Sequence, residues 1–212
     1  MKLAGSTRRA AIHHLEQGPL PDIHVAALFT LVFFGFLCWD DLSRLTVDNL
    51  QFEDSHLAIF LTQRKNDQFC QGSWVFIAHS DSSPCPVAVV EKLPRVGNYD
   101  RKLQLFRRVL STKKGMKIKR DPISYSQAAE LIEAKLQKER LNSGLYEIHS
   151  LRAGGTTTAA ALGIIERLFQ WQGGWRSHKA LNNYIHHLEQ GPLSDIHQPW
   201  SFPVVHFASG RF

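Results

Sequence analysis

The first sustained apolar run, Val25-Ala-Ala-Leu-Phe-Thr-Leu-Val-Phe-Phe-Gly-Phe-Leu, has the length of a helix and is apolar on every side. That pattern predicts a helix buried all round, which Asp40-Asp-Leu-Ser-Arg-Leu continues or closes. Ahead of it, Ser6 to His24 is polar, holds Gly18, Pro19 and Pro21 and shows no sustained period, so it reads as a lead-in with the core starting at about Val25. Three short β-type runs follow: Leu50 to Phe52, His56 to Thr62 and Ser73 to Ala78. The last two flank Gln63-Arg-Lys-Asn-Asp-Gln, and the set predicts a small antiparallel sheet with Lys65 near a turn.

Helical periodicity dominates the rest. Pro84-Cys-Pro-Val-Ala-Val-Val-Glu-Lys opens one helix. Ser124 and Gln127 stand at capping-box spacing before another, in which Ala128, Leu131, Ile132, Lys135 and Leu136 recur until Asn142-Ser-Gly stops it. Ile148 to Leu162, Ile164 to Gln172 (stopped by Gly173-Gly174) and about Ser177 to His187 predict three more. Helices outnumber strands and the strands cluster near the middle. The expected fold class is mainly α with a small antiparallel β-sheet (α+β), laid out as a lead-in over 1–24, one domain over 25–188 and a tail over 189–212.

Composition narrows the class. The chain's 212 residues suit one substantial domain, and 43% hydrophobic and 21% charged residues with a mean hydropathy of -0.21 exclude collagen-like, mucin-like and tail-like chains. Lys and Arg outnumber Asp and Glu by 25 to 19, giving a net charge of +6 and a pI near 9.4, which points to a polyanionic partner, nucleic acid before membrane. Arg101, Lys102, Arg107, Arg108, Lys113, Lys114, Lys117, Lys119 and Arg120 fall in one stretch without an acid. This reads as a solvated loop or strand face that can also contact phosphates. Cys38, Cys70 and Cys85 make no disulfide framework, so a reducing, intracellular compartment is expected. The run from Val25 to Trp39 is shorter than a bilayer span and is broken by Thr30 and Gly35. Ile12-His-His-Leu-Glu-Gln-Gly-Pro-Leu-Pro-Asp-Ile-His recurs from Ile185 with one change, Pro21 against Ser194. Its histidines match no standard zinc spacing, and a duplicated coding segment explains the repeat as well as a metal site does.

The residues with chemistry lie in the last third: His149-Ser-Leu-Arg152-Ala-Gly-Gly-Thr-Thr-Thr, then Gly173-Gly-Trp175-Arg-Ser-His-Lys-Ala-Leu-Asn-Asn-Tyr184. On a helix His149 and Arg152 share a face, where they form either a joint grip on a phosphate or an ordinary core-edge pair. Ala153, Gly154 and Gly155 permit close backbone approach, to a ligand or to another helix. Taken together the pattern resembles the catalytic domain of the tyrosine recombinase (integrase) family, above all the recombinases of eukaryotic mobile elements. The resemblance runs from Ala26 to Ile185 and rests on an H-x-L-R-x-G box, a His or Trp after glycine, and a tyrosine nine residues beyond it. Phe36-Leu-Cys-Trp-Asp-Asp-Leu-Ser-Arg-Leu resembles the first family box, and Lys65 lies where the family keeps its catalytic lysine.

The resemblance implies DNA breakage and rejoining with Tyr184 as the nucleophile that forms a 3′-phosphotyrosyl link. It implies His149 and Arg152 on the non-bridging oxygens, Trp175 as a buttress, Lys65 as general acid and Asp41 as a supporting acid. No cofactor or metal is called for; the expected partners are double-stranded DNA and further copies of the chain on it, with no membrane and no small-molecule substrate. One position departs from the family: its first box carries an arginine where this chain has Cys38, which brings no positive charge. A missing arginine in phosphoryl transfer costs about 10³-fold or more in rate, so impaired activity is expected. Arg44, six residues on, lies round the helix from that place. The segment before Val25 is too short for the core-binding domain that family members carry, so binding should rest on phosphates, with strong salt dependence and poor sequence specificity. Descent from mobile elements, with Lys113-Lys-Gly-Met-Lys-Ile-Lys-Arg120 as a basic address, suggests a nuclear protein. Two other readings stay open: a catalytically inactive DNA-binding module, and a metal- or partner-binding helical protein using the His repeat.

Overall fold

The computed structural model describes residues 20–189 other than 66–68, 70, 81–84, 98–99, 114 and 139–146. The predicted lead-in before Leu20, Cys70, Lys114, the stop at Asn142-Ser-Gly, most of the His repeat and the tail from 190 onward lie outside the described residues.

The long apolar run forms α1 (Leu20–Gly35), which starts five residues before Val25 and so takes in the end of the predicted lead-in. Pro21 does not prevent this, because a first-turn residue has no intrahelical N–H bond to lose. Leu20 and Ile23 are buried and join the core. The helix does not continue into Asp40-Asp-Leu. Phe36 takes φ 52, a left-handed conformation that costs a bulky residue on the order of 1–3 kcal/mol. Its ring is held between Phe169 and Trp175, with centroids 6.5 and 6.3 Å away, and the chain turns there into a separate short helix, α2 (Trp39–Arg44).

After a 3-10 turn at Val47–Asn49, the strands β1 (Leu50–Phe52), β2 (His56–Leu61) and β3 (Ser73–Ala78) pair antiparallel in sequence order. The register sets Leu57 opposite Ile77 and Ile59 opposite Val75, so alternate apolar side chains reach the core. Helix α3 (Pro86–Gly97) follows. The basic stretch then forms a hairpin, β4 (Arg107–Thr112) and β5 (Gly115–Pro122), with an irregularity between Arg107 and Val109. Helix α4 (Tyr125–Lys138) opens on the predicted capping box: Ser124 N–H donates to Gln127 Oε1 at 3.0 Å and Gln127 N–H to Ser124 Oγ at 3.2 Å. Lys135, part of its apolar repeat, is buried and pairs with Asp22 of α1 at 3.4 Å. Helices α5 (Ile148–Ala161), α6 (Glu166–Gly173) and α7 (His178–Glu189) complete the described chain.

The arrangement is mainly helical with small antiparallel sheets. Helix α1 is its axis, packed by α3, α5, α4 and β3. Leu28, Leu31, Leu37, Leu57, Ile59, Leu93, Phe106 and Ile132 are among the largest fully buried side chains around it. A second, smaller cluster of Phe36, Ala159, Phe169, Trp175 and Leu181 sits under α7 and carries Tyr184 at its edge. No helix among the described residues is long and apolar enough to cross a membrane, and none of their side chains form a group suited to a metal ion.

Candidate active site

Helix α5 starts just before the H-x-L-R box, so His149 and Arg152 fall in its first turns. Gly155 fixes how that helix sits: a Cβ there would overlap the Phe33 carbonyl of α1 and lie 2.9 Å from its carbon, so the two helices touch backbone to side-chain-free backbone. At Gly154 a Cβ would meet only the Phe33 ring, at an ordinary 3.5 Å. Gly155 therefore serves helix packing, which settles the two readings the sequence allowed for it.

Helix α6 ends at Gly174, whose φ of 72 places it in the left-handed conformation that glycine adopts without strain. The turn is locked by Trp175 N–H donating to Gln170 O at 3.0 Å and by Gln170 Nε2 donating back to Trp175 O at 3.2 Å. Trp175 is thereby buried against Arg152, whose guanidinium carbon lies 4.4 Å from the indole centroid. Tyr184 of α7 stands edge-on to that indole at 5.0 Å, 4.8 Å from the His149 ring and 5.2 Å from the Arg152 guanidinium carbon. Four of the six residues singled out in the sequence, from three separate segments, thus meet in one cluster: His149 exposed, Tyr184 half-buried, Arg152 and Trp175 buried.

The carbonyls at the end of α6 hold this cluster to the rest of the molecule. Arg152 donates to Gly173 O at 2.6 Å, Arg64 donates to Gln172 O at 2.8 Å, and Gln172 Nε2 donates to Phe34 O at 3.2 Å. Cations at a helix C-terminus are favoured by the partial negative charge of its free carbonyls, by up to ~2 kcal/mol when partly buried. Trp171 of α6 also stacks on Phe76 of β3, so the sheet braces the same helix.

Asp41 is buried and works at the start of α2, where its Oδ2 accepts from Cys38 N at 3.0 Å and from Cys38 Sγ at 3.1 Å. Its Oδ1 faces Arg64 Nε at 3.9 Å. Burial pushes the Cys38 thiol up from its ordinary pKa, with Asp41 adding to it, so position 38 offers a neutral thiol and no cation. Arg44 is exposed and donates to Gln63 Oε1 at 3.0 Å, away from the cluster as its helical offset implied. Lys65 is exposed in the connection from β2 to β3, one residue from Arg64 and outside the packed group.

Of the basic residues singled out for phosphate contact, Arg101, Lys102, Arg108, Lys113, Lys117, Lys119 and Arg120 are exposed, Arg101 being paired to Asp48 at 2.8 Å. Arg107 is different. It is only 5% exposed, so it is not presented to solvent as the others are, and its charge adds to burial in lowering the pKa of His24. Sequence reading passed over Arg64, which is buried at the site; its sole sequence signal was membership of the polar turn beside Lys65.

Sequence comparison finds no matching family profile and no matching characterised protein. Solved structures do match. The XerA recombinase aligns over 93% of this chain and 63% of its own with a TM-score of 0.62 at 13% identity. The XerH site-specific recombinase bound to its difH substrate before cleavage aligns over 84% and 48%, with a TM-score of 0.59 at 14% identity. The FLP recombinase in a Holliday-junction complex aligns over 93% and 47%, with a TM-score of 0.55 at 10% identity. This chain therefore spans between 47% and 63% of those chains. The architecture is the fold that these DNA recombinases have over the aligned part. More narrowly, it is the tyrosine recombinase catalytic-domain fold that the sequence resemblance implied.

Proposed function

We propose that this chain breaks and rejoins double-stranded DNA through Tyr184, as the catalytic part of a recombinase that integrates a mobile element. The observation that carries the proposal is the meeting of Tyr184 with His149, Arg152 and Trp175 at the end of α6. In the proposed step the Tyr184 oxygen forms a bond to a DNA phosphorus, its proton passes to solvent water, and the bond from phosphorus to the 5′-oxygen breaks. Lys65, on its exposed turn, donates the proton that the 5′-oxygen takes up. His149 and Arg152 direct hydrogen bonds and charge at the non-bridging oxygens, where charge builds up in the transition state. Trp175 fixes Arg152 by stacking on its guanidinium, and Asp41 orients groups around α2. The 3′-phosphotyrosyl bond keeps the energy of the broken linkage, so rejoining needs no cofactor.

Cys38 slows this chemistry, because it leaves the first box without a guanidinium. The exposed cations of the β4–β5 hairpin add nonspecific phosphate contacts. Copies of the chain assemble on DNA, and the protein works in the nucleus. Cys38 also supports a second reading, in which the chain binds DNA and no longer cleaves it.

Covalent trapping on nicked DNA duplexes separates the two. The proposal expects a denaturation-resistant protein–DNA band in the wild type that is lost in Tyr184→Phe and strengthened in Cys38→Arg. DNA binding with no band in either the wild type or Cys38→Arg supports the binding-module reading and overturns the proposal.

A further inference from the structure

Two arginines are buried at this site, and among the described residues one carboxylate is in ion-pair range of Arg64. Arg64 and Arg152 are 9% and 8% exposed, and they donate to the carbonyls of consecutive residues, Gln172 and Gly173. Each keeps a fully buried Nε with no hydrogen-bond partner. Asp41 is the carboxylate in ion-pair range of Arg64; it is 3.9 Å from that Nε, and its other oxygen is already occupied by Cys38. Burial lowers the pKa of Arg64, Arg152 lowers it further by repulsion, and Asp41 opposes both. Two guanidinium charges against one carboxylate leave the site one positive charge in excess, in a setting where charge is costly to leave uncompensated. Buried donors left without a partner are costly, and more so when charged, so the arrangement gains most from an added anion.

We propose that Arg64 and Arg152 together form a seat for a phosphate oxyanion, and that Arg64 supplies part, and not all, of the positive charge that position 38 lacks. The seat itself follows from the two guanidiniums; its use on a scissile DNA phosphate rests on the proposed function. Arg64 reaches Arg152 from the β2–β3 connection and not from the start of α2, so a second guanidinium stands near Arg152, itself 5.2 Å from the Tyr184 ring, although Cys38 is a thiol. Gly174 suits this place: its φ of 72 favours glycine, and a Cβ there would lie 2.5 Å from Arg64 Nη1 and push that side chain aside. A planar guanidinium presents paired donors to oxyanions, so lysine should serve poorly in its place.

The test is isothermal titration of the full-length chain with inorganic phosphate, with sulfate as competitor. Wild type is compared with Arg64→Gln, Arg64→Lys, the exposed control Arg44→Gln, and Arg64→Gln combined with Cys38→Arg. The seat predicts that Arg64→Gln weakens phosphate binding at least tenfold, that Arg64→Lys falls between, and that Arg44→Gln matches the wild type. Restoring a guanidinium from α2 in the double variant should recover at least half of the lost affinity on a logarithmic scale. Circular dichroism melts accompany each variant; if Arg64→Gln does not fold, Arg64→Lys decides, with a loss of threefold or more expected. Wild type that does not bind phosphate, or folded Arg64 variants that bind as the wild type does, overturns the seat. Arg64-dependent phosphate binding in a chain that never traps DNA would uphold the seat and refute the recombinase reading.

Discussion

Gly155 and Gly154 are neighbours on α5, yet the structure gives alanine opposite effects at the two. At Gly155 the added methyl group would drive into the Phe33 carbonyl, which belongs to the backbone of α1 and cannot rotate aside. Overpacking of this kind costs typically about 1–3 kcal/mol, and contact with backbone puts Gly155→Ala at the upper end. Alanine in a helix interior gains about 1 kcal/mol over glycine, which leaves a net destabilisation of about 2 kcal/mol. At Gly154 the methyl group meets the Phe33 ring at 3.5 Å, an ordinary contact, so the helix-propensity gain stands and Gly154→Ala should stabilise by about 0.5–1 kcal/mol. Urea unfolding followed by circular dichroism reads both: with a slope of about 2 kcal/mol/M, Gly155→Ala lowers the midpoint by about 1 M and Gly154→Ala raises it. Gly155→Ala should also displace Arg152, three residues earlier, and weaken anion binding. A Gly155→Ala protein as stable as the wild type, or equal effects at the two positions, would refute the helix contact on which the site is mounted.

Two further outcomes follow from buried and exposed charge. His24 is 2% exposed and has its pKa lowered from 6.5 to about 4 by burial, with the charge of Arg107 adding to the effect. Between those values the unfolded chain takes up a proton that the folded chain refuses, so this contribution to stability is present above the ordinary pKa and is lost as pH falls toward 4. Going from pH 7.5 to 5 should cost about 2 kcal/mol through this residue, and His24→Gln should remove that part of the slope; identical acid dependence in the two proteins would contradict it. On the β4–β5 hairpin, replacing Lys117, Lys119 and Arg120 by Gln should lower DNA affinity at low salt and reduce the slope of log K against log salt by about 2 to 3, measured by fluorescence anisotropy. An unchanged slope would remove the hairpin from the proposed DNA-binding surface.

Much of this architecture is legible in the sequence because the signals are local. The strands Leu50–Phe52 and Ser73–Ala78 end where their apolar alternation ends, and α6 stops at the glycine pair. What the sequence conceals depends on contacts between distant segments. The start of α1 is masked by Pro21, whose restriction matters little in a first turn. The break at Phe36 has no glycine or proline to announce it, since the left-handed turn is held by Phe169 and Trp175 from much later in the chain. Arg107 and Arg108 look alike in the sequence, and only the strand pairing buries one and exposes the other. Arg64 carries no periodic signal at all; its role appears once α6 brings the Gln172 and Gly173 carbonyls to it and to Arg152. The H-x-L-R-x-G motif, by contrast, is a fixed spacing visible in the sequence, and its His149 and Arg152 lie beside Trp175 and Tyr184 in the structure.

Mapping the amino acid that carries the DNA decides whether Tyr184 is the nucleophile. The chain has four tyrosines, Tyr99, Tyr125, Tyr146 and Tyr184, and Tyr125 packs on Trp39 with its ring centroid 5.9 Å away, outside the cluster around Arg152. Covalent complexes trapped on nicked duplexes, digested with nuclease and trypsin and sequenced by mass spectrometry, should carry a 3′-phosphonucleotide on the peptide that begins at Ala180, at Tyr184. An adduct on any other residue, or on Tyr184 but unaffected by Arg152→Gln, would contradict the account.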